Sequence, residues 1–209
     1  FKANIDFMFG ELLHIKMRLC KWDNFQDCLN ELTDKINKEE KVSNPFPVLS
    51  LIDDPDIQRK ASEIYVNQKF PQGNTPPVIN SYQGHEKIRI GYFSADFRDH
   101  PVSYLIAELF EIHDRDQFEI YAFSFGSDTK DEMNIRIKKG VDQFYDVSLM
   151  LDKDVAVLSR SLELDIAVDL GGLTKDSRTG VFSEGSAPIQ LNYLGYPGTI
   201  AAKYMDYII

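Results

Sequence analysis

A histidine followed by proline at positions 100 and 101, with Asp96 four residues before it, is the pair whose types and spacing best suit chemistry in this sequence. It follows an apolar run, Ile88 to Ser94, and precedes a helix-like stretch from Ser103. A histidine at that point lies beside the unpaired amides and positive end of a helix, which favour an anion and a neutral imidazole. A neutral ring can give or take a hydrogen bond next to a phosphate or a sugar hydroxyl. Asp96 could orient the ring or accept a proton. The plainer alternatives are a loop histidine satisfied by backbone and an aspartate closing a turn on its own chain. His14, His85 and His113 fall in a helix interior, a linker and a helix C-terminus, where chemistry is less expected.

Two further loops carry suitable groups. Gly171–Arg178 combines a flexible Gly-Gly turn with Thr174, Lys175 and Arg178, hydroxyl and cationic groups that fit a phosphate or a sugar. It lacks the order of a Walker loop. Gly195–Thr199, after Leu194, includes Tyr196 and Pro197 and reads as a rigid turn whose glycines let the backbone approach a ligand, or as an ordinary tight turn. No Gly-x-Gly-x-x-Gly follows a strand, which argues against a dinucleotide oxidoreductase. Asp114-Arg115-Asp116 and Asp152-Lys153-Asp154 imitate metal-binding Asp-x-Asp but sit at element starts, as solvated turns do. Cys20 and Cys28 have no second pair beside them. No metal is expected.

The elements that must position these loops alternate from residue 87 onward. Strands are expected at 88–94, 118–125, 143–146, 165–170, 189–194 and 205–209. Helices are expected at 103–112, from Asp131 to Lys139, at 153–162 and over 179–184. Such β-α-β repetition implies α/β architecture with a parallel, doubly wound sheet, in which ligands bind at the carboxyl ends of the strands. The three loaded loops then share one edge. Before residue 87 the periodicity is helical: apolar residues recur at helical spacing over Ile5–Leu19 and Trp22–Ile36, a helical hairpin. Pro45 and Pro47 are expected to keep a helix from running through, and Asp53 or Asp54 before Pro55 to start one running to about Val66. Residues 70–86, rich in proline and glycine, read as a linker between a helical segment, 1–69, and a domain spanning 87–209.

With 33 acidic against 23 basic residues the formal charge is −10, which repels nucleic acid and anionic membranes. No run of about 18 apolar residues suggests a spanning helix, and the first residues do not read as a signal peptide. A cytoplasmic location is expected. The apolar close, Tyr207-Ile208-Ile209, suggests a strand that continues beyond the sequence.

The blocks Arg89-Ile90-Gly91-Tyr92 to His100-Pro101, Gly172-Leu173-Thr174-Lys175 with Arg178, Ala187-Pro188-Ile189-Gln190, Leu194-Gly195-Tyr196-Pro197-Gly198-Thr199 and Met205–Ile209 resemble, in order and spacing, the O-linked N-acetylglucosamine transferase and SPINDLY family. Leu19-Cys20-Lys21-Trp22 is similar to the turn closing that family's tetratricopeptide repeats. The resemblance implies the N-terminal Rossmann-like half of a GT-B glycosyltransferase after the end of a repeat region. It implies an inverting, metal-independent enzyme without cofactor, which moves a sugar, first of all N-acetylglucosamine from UDP-GlcNAc, to Ser or Thr of a protein acceptor entering from the helical side. By the same resemblance His100 lies beside the donor sugar with Pro101 and Val102, Leu194 and Gly195 line the sugar site, and Asp96 matches a discussed proton acceptor. Most uridine and diphosphate contacts belong to a C-terminal catalytic half, so this chain alone should bind donor feebly. Val102 stands where the family often has threonine, and Val66 where animal enzymes carry a histidine, so N-acetylglucosamine, fucose and glucose stay open. A scaffold that retains the fold without transfer is the alternative.

Overall fold

The computed structural model describes residues 5–73, 81–82 and 84–209. Part of the expected linker, including Pro76 and Pro77, lies outside the described residues, as do the first four residues. The chain divides into two units, one up to Pro71 with Gly198–Ala202, the other Gln72–Pro197 with Lys203–Ile209.

The first unit contains α1 (Met8–Arg18), α2 (Phe25–Asn37), α3 (Pro45–Leu51) and α4 (Pro55–Lys69). Leu13, Leu32, Ile36, Val48, Ile57 and Ala61 form its core, the inner stripes of four short amphipathic helices. The short helix α3, which the sequence did not reveal, begins on Pro45, and no helix runs through from α2. A proline in the first turn needs no amide partner and brings the right φ, so it blocks a helix arriving from upstream while starting one downstream. Asp54, not Asp53, caps α4, its Oδ1 accepting the amides of Asp56 at 2.9 Å and Ile57 at 3.2 Å. Asp54→Ala is expected to lower the stability of this unit by about 1 kcal/mol and Asp54→Asn by much less, read by thermal unfolding in the far ultraviolet.

The second unit is built on β1 (Ile88–Ser94), α5 (Pro101–Ile112), β2 (Phe118–Ser124), α6 (Glu132–Gly140), β3 (Gln143–Asp146), α7 (Asp152–Ser161), β4 (Ile166–Asp169), α8 (Thr179–Ser183), β5 (Ile189–Asn192) and β6 (Tyr207–Ile208). All pairings are parallel and the strand order is β3-β2-β1-β4-β5-β6. This is the Rossmann order, and the chain reverses direction across the sheet between β1 and β4. Side chains alternate across a strand, so β1 feeds two cores. Ile90 and Tyr92 pack with Ile106 and Phe110 of α5 and Ile137 of α6. Phe93 packs on the opposite face with Val155 of α7 and Phe182 of α8, its ring stacked on Phe123 at 4.4 Å. Burial on both faces explains why β1, β2 and β4 read as near-continuous apolar runs.

Candidate functional site at the carboxyl edge of the sheet

His100 is the N-cap of α5, in extended backbone (φ −154°, ψ 146°), with Pro101 at the first helical position. The helix therefore starts two residues before the expected Ser103. The Val102 amide donates to His100 Nδ1 at 3.3 Å. Nδ1 must then carry a lone pair, so in the neutral ring the proton resides on Nε2, leaving a hydrogen-bond donor. The side chain is 34% exposed and that of Asp96 17%. Asp96 Oδ2 lies 3.7 Å from Nδ1, beyond hydrogen-bond reach. Asp96 Oδ1 instead takes Arg98 Nη2 at 3.0 Å, while its backbone carbonyl accepts the buried Ser103 hydroxyl. Both residues are held by the strand-to-helix turn itself, and the imidazole retains an open nitrogen.

The loop after β4 is shaped by Asp169, which the sequence reading absorbed into an apolar strand. This side chain is 2% exposed, and its Oδ1 accepts the amides of Gly171 at 2.9 Å and Gly172 at 3.0 Å. Burial pushes its pKa up to about 6, against the pull of those two amides. An aspartate two residues before a Gly-Gly pair is a turn signal that could have revealed it. Gly172 has φ +59°, and a β-carbon there would come within 2.4 Å of Tyr196 Cβ, so the turn needs glycine for conformation and for space. Thr174 Oγ1 donates back to the Gly171 carbonyl at 2.7 Å, and Lys175 is exposed.

Arg178 is held inside the loop framework. Its Nε donates to Asp152 Oδ1 at 2.7 Å, Nη1 to the Val147 carbonyl at 2.9 Å and Nη2 to the Met150 carbonyl at 2.7 Å, with Phe125 5.7 Å from its Cζ. Asp152, the first residue of one Asp-x-Asp, thus serves as an arginine partner. Arg178→Lys, which cannot reproduce this planar fork, is expected to cost roughly 2 kcal/mol of stability in urea unfolding.

After β5, Tyr193 and Gly195 are bridged by a Gly195 amide to Tyr193 carbonyl hydrogen bond of 3.0 Å around Leu194, whose φ is +76°. This is a three-residue turn in its rare, strained form, at a cost of about 1–3 kcal/mol. A β-carbon on Gly195 would lie 2.0 Å from the Leu170 carbonyl oxygen and 3.6 Å from Val102 Cγ2. Tyr196 is buried and Pro197 exposed. The structure therefore brings together, at the β1/β4 reversal, the start of α5 with Val102, the Gly171–Thr174 turn and the Leu194–Tyr196 turn. Lys175 is exposed at the tip of its loop, Arg178 is directed into the protein framework, and Gly198 and Thr199 belong with the first unit.

The loop after β2 also reaches this edge, a feature absent from the sequence reading. The Asp131 carboxylate accepts the Asp99 amide at 2.9 Å through Oδ2 and the Asn134 amide at 2.8 Å through Oδ1, joining the loops after β1 and β2. With Arg98, Phe125, Ser127, Ser148 and Asp176 these loops line a polar cleft of about 690 Å³. Among the described residues no three His, Cys, Asp or Glu side chains gather to hold a metal ion, and no helix is long and apolar enough to cross a membrane.

Residues 66–209 match the family model of glycosyl transferase family 41. The chain belongs to this glycosyltransferase family. It is 29% identical to a probable UDP-N-acetylglucosamine–peptide N-acetylglucosaminyltransferase, SEC, of Arabidopsis thaliana, over 95% of this chain and 22% of that protein. It is 32% identical to the corresponding N-acetylglucosaminyltransferase of Caenorhabditis elegans over 66% of the chain and 12% of the relative. SPINDLY of Oryza sativa is 34% identical over 57% of the chain and 13% of its own length. Among solved structures, a mutant O-GlcNAc transferase from Thermobaculum terrenum superposes with a TM-score of 0.74 at 23% identity, covering 96% of this chain and 39% of that one. The family 41 chain thus has the fold of the corresponding part of a larger enzyme and spans a minor share of each relative.

Proposed function

We propose that this family 41 chain supplies the N-terminal catalytic half of a protein O-glycosyltransferase that moves N-acetylglucosamine from UDP-GlcNAc to Ser or Thr of protein acceptors. The observation that carries the reading is the packing of three strand-end segments around the β1/β4 reversal. There the open nitrogen of His100, the Gly171–Thr174 turn and the strained Leu194 turn converge where a Rossmann sheet binds its ligand. Family membership and the relatives' names supply the chemistry.

In this reading His100, Pro101, Val102, Leu194 and Gly195 surround the donor sugar, with Thr174 and Lys175 on its diphosphate side. Arg178 acts by holding their loop. The His100 Nε2–H donates to the sugar or to the leaving diphosphate, and Asp96 fixes the loop through Arg98. Catalysis rests on positioning and on stabilising the leaving group rather than on a metal. A C-terminal catalytic half completes the uridine site. Residues 1–69 form the end of a tetratricopeptide-repeat region, 70–86 the connector and 87–209 the Rossmann-like half. The protein works in the cytoplasm, without nucleic-acid or membrane partners.

The test is incorporation of sugar into Ser/Thr peptides by a protein carrying both catalytic halves, offered UDP-GlcNAc, UDP-glucose and GDP-fucose and read by mass spectrometry. A GlcNAc mass increment that survives chelation by EDTA is expected. A folded protein adding no sugar from any donor would support the scaffold instead, and an EDTA-sensitive increment would refute metal independence.

A further inference from the structure

Asp169 lies at the end of β4, adjacent to both ligand-facing turns. Its carboxylate Oδ1 takes the Gly171 and Gly172 amides, and its backbone carbonyl accepts the Tyr193 amide at 2.9 Å and Asn192 Nδ2 at 2.9 Å. One residue thus fixes the beginning of the Gly171–Thr174 turn through its side chain and the beginning of the Leu194 turn through its backbone. The Leu170 amide donates to the Phe93 carbonyl at 3.1 Å, tying the same strand end to β1 next to the His100 loop. The other carboxylate oxygen, Oδ2, is buried without a hydrogen-bond partner. Burying a carboxyl in this way is costly, and a neutral residue would pack as well for stability alone. What the carboxyl adds is an acceptor placed to gather two consecutive amides of a turn that needs glycine at Gly172.

We propose that Asp169 is a positioning residue for the donor sugar, setting the Gly171–Gly172 turn against Tyr196 without touching the donor. The inference deepens the proposed function and rests on it for its consequence in catalysis. The anchoring itself does not.

Two arms separate these. In the 209-residue chain, Asp169→Ala is expected to speed hydrogen exchange at the Gly171 and Gly172 amides about 10-fold, the worth of a lost hydrogen bond, while Gly91 and Phe93 in β1 stay protected. Asp169→Asn, which keeps an acceptor oxygen, restores slow exchange. In the protein with both catalytic halves, Asp169→Ala raises the UDP-GlcNAc KM about 10-fold with kcat within roughly threefold, and Asp169→Asn returns KM to within about threefold of the parent. Unchanged exchange at Gly171 and Gly172 in Asp169→Ala would overturn the anchor. Faster exchange with an unchanged KM would overturn its role toward the donor. If no variant or parent transfers sugar, the proposed reaction falls while the exchange arm still decides the anchor. Should Asp169→Ala not fold, a through-hydrogen-bond coupling between the Gly171 or Gly172 nitrogen and Asp169 Cγ in the unmutated chain decides that arm: its presence supports the anchor and its absence removes it.

Discussion

His100→Ala is expected to lower sugar transfer by about 100-fold or more in the protein with both catalytic halves, measured as initial rate at saturating acceptor. One side chain performs two jobs here. His100 caps α5 by accepting the Val102 amide, and it presents the remaining ring nitrogen. Losing a cap costs about 1 kcal/mol of stability and would by itself disturb the turn. His100→Asn controls for this, because asparagine is among the best capping residues and restores the helix start without an imidazole. Stability near that of the parent combined with activity as low as in His100→Ala is the expected pattern for the asparagine variant. Full transfer by either variant would remove His100 from the chemistry and leave it only as a cap.

Asp169→Asn is expected to gain stability relative to the parent as pH rises from acid to neutral. Burial pushes the Asp169 pKa from 3.8 up to about 6. A folded state that holds its proton more tightly than the unfolded chain is favoured at low pH. The contribution of Asp169 is therefore fully present below about pH 4, is lost as pH rises through 6, and is flat above. The span between the two values corresponds to about 3 kcal/mol. Asparagine does not ionise, so its stability relative to the parent should rise by about 2.5 kcal/mol between pH 4 and pH 7.5. Other titrating groups act in both proteins and cancel in the difference. Tyr204, whose pKa burial and the Asp169 charge both raise, ionises far above this window. Urea unfolding at several pH values, followed through amide signals of the sheet, checks the slope. A difference that does not change with pH would show that Asp169 is not ionised at a cost.

The architecture was legible because each of its signals is local. Ile88–Ser94 and Phe118–Ser124 are apolar on both faces, Pro55 follows a capping aspartate, and Gly140 closes a helix with lysines in its last turn. The strand, loop and helix rhythm then leaves few parallel topologies. The edge carrying His100, Thr174 and Gly195 was legible for the same reason, since strand direction alone puts those loops together. What escaped depends on pairings distant in sequence. Whether Arg178 faces a ligand or Asp152 is decided by how the loop after β3 folds, and nothing in the residues next to Arg178 shows that Asp152 is its partner. Asp169 escaped because a single carboxyl at the end of an apolar strand looks like the beginning of solvent. The α3 turn was missed because proline signals a stop and a start with the same residue.

The loops at this edge are fastened to each other as well as to their strands. Asp131 holds the amide ahead of His100, Arg178 bolts the β4 loop to carbonyls beyond β3, and Asp169 joins the β4 and β5 turns. Neighbouring loops are thus tied in pairs along the rim and are not independent fingers. Such ties transmit load, so an insertion near Asp131 would reach the His100 turn, and a loosened Arg178 the Gly171 turn, without a mutation at either. Sequence drift in such a rim has to occur in matched pairs, whereas the exposed face of α5, with Tyr104, Leu105 and Ile112, can change one residue at a time.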